Sequence, residues 1–185
     1  AQRAMVLVGL EPLTSFTDNS DEALVMNTLY EDMVEDCLAQ HSWKFATGQK
    51  QLWDAAYSLP TAPAVMQVHT VTIDDVVQEY SIYERYIYMN AGENDNVILN
   101  YMFRVDTQYW PPAFALWVIY RLASVLGLSV TRNAEVAESY VQLAQQQFRM
   151  AKARDSQQVT TQGLRLTRYH KVRRGAFLAI EGETV

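Results

Sequence analysis

Residues 111–158 read PPAFALWVIYRLASVLGLSVTRNAEVAESYVQLAQQQFRMAKARDSQQ, and their reading decides the fold. Proline is tolerated in the first turn of a helix, where its missing N–H would be unpaired anyway, so Pro111 and Pro112 mark a start. Phe114, Trp117, Val118, Leu122, Val125 and Leu126 then recur at helical spacing, and Ala115, Leu116, Ile119, Tyr120 and Ala123 fill most other faces. Apolarity all round predicts a buried helix over 112–127, with Gly127 as its stop. Arg121 is its one full charge, and a charge there needs a partner. A second helix is expected over 133–156, capped by Thr131 or Asn133, with Glu135 in the first turn where the helix dipole favours an acid. Ala137, Val141, Ala144, Phe148 and Ala151 form its apolar stripe, widened by Val136, Tyr140 and Leu143. At about 1.5 Å per residue it is about 34 Å long.

Upstream, residues 4–10 predict a short helix broken by Glu11-Pro12. Another is expected over 21–40, with Asp18, Asn19 and Ser20 all able to cap it. Its stripe is Met26, Leu29, Tyr30, Met33 and Cys37, broadened by Leu24, Val34 and Leu38. On another face, Glu31 with Glu35 and Asp32 with Asp36 are like-charge pairs four apart, which repel. They read either as a solvated acidic face or as a surface for arginines of a neighbouring subunit; a metal site there would lack a glycine-bearing calcium loop. The aromatics of His41-Ser42-Trp43-Lys44-Phe45-Ala46 alternate with period two, which predicts a short strand.

Residues 43–109 read as a small, mainly antiparallel sheet. Tyr83, Arg85, Ile87 and Met89 alternate with their neighbours, 90–96 is turn-like, and Val97, Leu99, Tyr101, Phe103 and Val105 alternate again, a hairpin signal. Six of the 11 tyrosines fall between Tyr80 and Tyr109. With only Arg85 and Arg104 among them, they suit cross-strand pairing better than a platform for bases. Asp74, Asp75 and Glu79 read as turn or surface residues. The whole is therefore α+β: a helical bundle of long helices, a small sheet, and an extended C-terminal arm. The domain spans residues 1–158 and the arm 159–185.

At 185 residues, 49% hydrophobic and 19% charged, the composition is that of a globular domain. The net charge of −6 is uneven: residues 1–156 carry 10 basic and 19 acidic side chains, residues 157–185 five and two. A basic tail on an acidic body points to contact rather than folding. Arg165, Arg168, Tyr169, His170, Lys171, Arg173 and Arg174 share that tail with Leu164, Leu166 and Phe177, which suits an arm packed on a partner chain; a solvated, disordered terminus and phosphate neutralisation by the same cluster are the alternatives. A single cysteine, Cys37, leads us to expect no internal disulfide and a reducing compartment. No stretch approaches the roughly 20 apolar residues of a membrane span, so no membrane partner is expected.

Motifs for chemistry are absent. There is no phosphate loop of the G-x-x-x-x-G-K or G-x-G-x-x-G type, and no cofactor is expected. Cys37 and His41, four apart, do not complete a zinc site. A Cys37 nucleophile with a distant histidine stays open, but no catalytic or metal-binding residue is assigned.

Several stretches carry a family likeness: AMVLVGLEPL at 4–13, Trp43-Lys44-Phe45, Tyr57-Ser58-Leu59-Pro60, the strand patterns at 86–89 and 101–105, FALWVIYRLA at 114–123, Ser129-Val130-Thr131, and AKARDSQQ at 151–158. In this order and spacing they resemble the podovirus head-to-tail adaptor family, also called tail tubular protein A, with Trp117 where that family has Ala. The resemblance covers about residues 3–158. It implies a structural protein of the bacteriophage virion, made in the host cytoplasm: a dodecameric ring joining the portal protein to the tail nozzle protein, with tail fibres as further neighbours. Genomic DNA would pass through its channel, without sequence-specific binding, during ejection. The C-terminal arm would dock on the portal, and the charge asymmetry assigns Glu31, Asp32, Glu35 and Asp36 to a neighbouring subunit.

Overall fold

Pro112 opens the helix on which the other helices pack. The computed structural model describes residues 1–13, 15, 20–53, 57–92 and 95–158. In chain order these form α1 (Gln2–Val8), α2 (Asp21–Ala39), a 3₁₀ turn (Lys44–Ala46), β1 (Thr47–Leu52), β2 (Val65–Ile73) and β3 (Val76–Gln78). Then come β4 (Ser81–Tyr83), β5 (Tyr86–Tyr88), β6 (Val97–Phe103), a second 3₁₀ turn (Thr107–Tyr109), α3 (Pro112–Ser129) and α4 (Ala134–Ser156). Four helices with small antiparallel sheets make the fold α+β. The expected arm over 159–185 lies outside the described residues.

The helix termini follow local chemistry. α1 ends at Gly9, whose φ of 82° is the left-handed C-cap conformation that glycine adopts without strain. Of the three candidate caps before α2, Ser20 is the N-cap: its side chain accepts from the Ala23 N–H at 3.2 Å. Asn133 caps α4, its Oδ1 accepting from the N–H groups of Glu135 and Val136. Thr131 instead donates its hydroxyl to the Gly127 carbonyl at 2.7 Å and helps close α3.

Gly127 does not stop α3, which continues to Ser129. A Cβ on Gly127 would lie 3.3 Å from both Cα and N of Ala137. The glycine is there because α3 and α4 approach closely beside their connecting turn, and a methyl group would have to push backbone aside. α3 is also, by length and composition, apolar enough to cross a membrane, with 18 residues at mean hydropathy 1.4. That corrects the expectation that no stretch comes near this. Its apolarity is used within the protein: Ala113, Phe114, Trp117, Val118, Leu122, Ala123, Leu126 and Gly127 are buried, and α1, α2 and α4 all contact it.

Trp43 is the hub of this helical core. It is not in a strand: period two at 41–46 gives way to a 3₁₀ turn, with β1 starting only at Thr47. The reason is the indole, which sits edge-on to Phe114 and also contacts Trp117 and Phe148. Its N–H donates to the Cys37 carbonyl at 3.1 Å, at the end of α2. Burying an aromatic of this size contributes more than about 1.5–3 kcal/mol, enough to override a weak strand preference. The buried face of α2 is Ala23, Met26, Val34, Cys37 and Leu38. Leu29 is exposed and Leu24 is 68% exposed, so the expected stripe is displaced. On α4, Ala137, Ala144 and Ala151 are buried as expected, while Val141 and Leu143 are exposed. Gln147 and Asp155 take buried positions there instead.

The main sheet has the order β1-β6-β2-β3, every pairing antiparallel. The hairpin expected between 82–89 and 97–105 does not form. β5 pairs with β4 across a turn at Glu84-Arg85, while β6 lies between β1 and β2. Alternation marks a strand without naming its partner. β4 and β5 supply Ile87 to a second core with Leu52, Val71, Ile73, Val97, Leu99 and Tyr101. Phe103 packs against both cores.

Candidate assembly surfaces

The four acids assigned to a subunit interface lie on the exposed side of α2, but they are not equivalent. Glu31 faces Arg104, whose Nη2 lies 3.1 Å from Oε2. Asp36 takes Nη2 of Arg121 at 2.9 Å and the Gln40 side-chain amide at 2.8 Å. Arg121, the lone charge of α3, thus has its partner within the chain. Both pairs are solvent-accessible, and such pairs contribute about 0–1 kcal/mol. Among the described residues, no ion pair engages Asp32 or Glu35. The acidic face therefore splits into two carboxylates held by arginines of the same chain and two left to solvent.

A junction that sequence reasoning missed sits where α4 ends. Asp155 is 5% exposed. Its Oδ1 accepts from the Lys44 backbone N–H at 3.0 Å, and its Oδ2 lies 3.5 Å from His41 Nε2. His41 stacks edge-on against Trp43, centroids 4.8 Å apart. Burial pushes the His41 pKa below its ordinary value; Asp155 pulls it up, but Lys152 and Lys44 oppose that. The ion-pair geometry taken alone would favour imidazolium. At 3.5 Å the contact is long, and two lysines share the site, so we assign the neutral form. Beside the junction is a cleft of about 160 Å³ walled by Trp43, Phe45, Pro111, Phe114 and Asp155, with Gln158 at its edge. The 111-residue separation of Lys44 and Asp155 leaves no local sequence signal for this contact.

Neither family models nor curated proteins gave a match to this chain.

The remaining candidates separate plainly. Arg165, Arg168, Tyr169, His170, Lys171, Arg173 and Arg174, assigned to the portal interface, lie outside the described residues. Cys37 is buried, and burial pushes its thiol up to about 12, which leaves almost no thiolate near neutral pH. His41, four residues on, turns to Asp155 rather than to Cys37. Among the described residues, no group of three or more His, Cys, Asp or Glu could hold a metal ion. Of the tyrosines, Tyr83 and Tyr88 pair edge-on across β4 and β5 at 5.5 Å, the cross-strand arrangement. Tyr83, Tyr86, Tyr88 and Tyr109 are exposed, as are Ile82, Val76 and Val77. This apolar surface lies mainly on the hairpins, away from the helical core.

Proposed function

We propose that the chain is a head-to-tail adaptor of the podovirus type, a structural protein of the phage tail. In this reading its helices form a bundle, its C-terminal arm is extended, and a dodecameric ring of copies joins portal to tail nozzle and continues the DNA channel. One observation carries the reading. Segments that bear the family likeness, far apart in sequence, meet in a single core: Met5 of α1, Trp43, Phe114 and Leu122 of α3, and Ala151 of α4. The motifs at 4–13, 43–45, 114–123 and 151–158, scattered along the chain, thus contribute to one core, as a shared fold requires. Exposed apolar side chains on the hairpins support an assembling protein, because monomers seldom leave such groups clustered in water.

Assembly would proceed by surface complementarity. The basic arm (Arg165, Arg168, Lys171, Arg173, Arg174) would bind the portal, and the acidic face of α2 would meet a neighbouring subunit, chiefly through Asp32 and Glu35. Native mass spectrometry of the chain, alone and mixed with its cognate portal protein, tests the reading. A monomer that forms a ring only on the portal is expected. A small fixed oligomer indifferent to the portal would overturn it.

A further inference from the structure

The outer strands of the four-stranded sheet are β1 and β3. An outer strand directs half of its backbone N–H and C=O groups away from the sheet, ready to pair with another chain. β3 follows β2 through Asp74 and Asp75, whose φ angles of 48° and 65° are those of a two-residue type I′ turn. In that geometry Ile73 and Val76 exchange hydrogen bonds, and the backbone groups of Val77 point outward. Val76 is 60% and Val77 65% exposed, so this edge is uncovered. On the opposite edge, Gln49 and Lys50 of β1 are exposed, and Trp53, just beyond its end, is 81% exposed.

The two edges differ in charge. β3 is bracketed by Asp74, Asp75 and Glu79, all exposed, with no basic residue among 74–79, while Lys50 is the one charge of β1. They also differ in direction, since four strands in strict alternation make β1 and β3 antiparallel. Pairing β1 with β1 of a second copy would bring lysines together. Pairing β3 with β3 would set two groups of Asp74, Asp75 and Glu79 against each other, and like charges across a strand pair are destabilising. Only the β1–β3 pairing joins opposite charges, and it continues the antiparallel alternation from one copy to the next.

We propose that copies of this chain associate head to tail, the β3 edge of one on the β1 edge of the next, with Gln49 opposite Val77 and Lys50 beside the Asp74-Asp75 turn. This rests on the ring reading for closure, because a heterologous contact closes into a ring or runs on as a filament according to its rotation. The test uses the full-length chain with three variants: Lys50→Glu, Asp75→Lys, and the two combined in one chain. Assembly on the portal and at high concentration is followed by sedimentation velocity. Each single reversal should lower the assembled fraction at least tenfold, and the combined variant should restore it to within about twofold. In parallel, Gln49→Cys chains are mixed with Val77→Cys chains and treated with a bis-maleimide; cross-linked dimers should need both. Rings that form with single reversals unaffected, or Val77→Cys chains that cross-link to each other alone, would overturn the edge pairing. Mixed cross-links on portal-independent filaments would keep it and sink the adaptor reading.

Discussion

The carboxylate of Asp155, in the last turn of α4, accepts a hydrogen bond from the backbone N–H of Lys44, 3.0 Å away and 111 residues earlier in the chain. The contact fastens the end of the longest helix to the turn that carries Trp43. An acid near a helix C-terminus opposes the helix dipole, so its presence there calls for a compensating contact, and the Lys44 N–H provides one.

Removing that carboxylate should be felt at both ends of the contact. Asp155→Ala leaves the Lys44 N–H without its acceptor in a partly buried setting, at a cost of about 1–2 kcal/mol. Asp155→Asn keeps an oxygen in place and should cost less than half as much. Chemical denaturation of the two variants checks the order; equal losses would mean that charge, not the hydrogen bond, matters.

Acid should weaken the fold through His41. Its folded pKa lies below its ordinary value of 6.5, so between those two values the unfolded chain binds more protons than the folded one. Stability contributed by neutral His41 is then complete above about pH 6.5 and falls away as pH drops through the folded value. His41→Gln removes this titration, together with the pH-independent ring contact to Trp43. The loss in Tm between pH 7.5 and 5.5 should be smaller in the variant than in the parent; an identical loss would assign the acid sensitivity to carboxylates.

Gly127→Val should separate α3 from α4. The added side chain meets the backbone of Ala137 rather than a movable side-chain tip, and overpacking of this kind costs about 1–3 kcal/mol. The gain in helix propensity over glycine, under about 1 kcal/mol, works the other way and does not cancel it. For a chain of this length each kcal/mol moves Tm by about 2–4 °C, so a thermal melt should show a fall of several degrees.

The division of the acidic face predicts different phenotypes. Reversing Asp32 and Glu35 to Lys should leave Tm within about 1 °C, as expected of exposed substitutions, while reducing subunit association. Reversing Asp36 removes the partner of Arg121 and sets two cations together, so Tm should fall modestly. Melting curves paired with sedimentation separate the two; association unchanged in the Asp32/Glu35 variant would remove those residues from any interface.

Much of the helical half was legible because it is written in local signals. Pro112 begins α3 and Asn133 caps α4, each through contacts within a few residues, whereas α1 runs Gln2–Val8 and ends at Gly9, before the Glu11-Pro12 break that the sequence suggested. What stayed hidden depends on distant groups. Gln147 is buried because its amide reaches the Ala113 carbonyl at 3.0 Å, and nothing in the sequence around 147 announces that. Gly127 looked like a terminus because glycine serves helix ends and close packing alike. In the sheet, the pleat was visible in the alternation of residues 97–103, but pairing is a choice among strands, and β6 chose β1 and β2 over β5. The candidate interface was half legible: its acids were plain, while the two arginines that occupy Glu31 and Asp36 come from 73 and 85 residues away.

Leu52 and Val97 stand opposite each other at the end of the β1–β6 ladder. Between them in sequence, β2 comes back along β6 as far as Phe103, and its Met66 packs on the helical core. β3 pairs only with the far end of β2, and the β4–β5 hairpin supplies Ile87 to the second core; these two hairpins are therefore a cassette. Related chains could lengthen, trim or redecorate it to suit a different neighbour, and the helical half would keep its packing throughout.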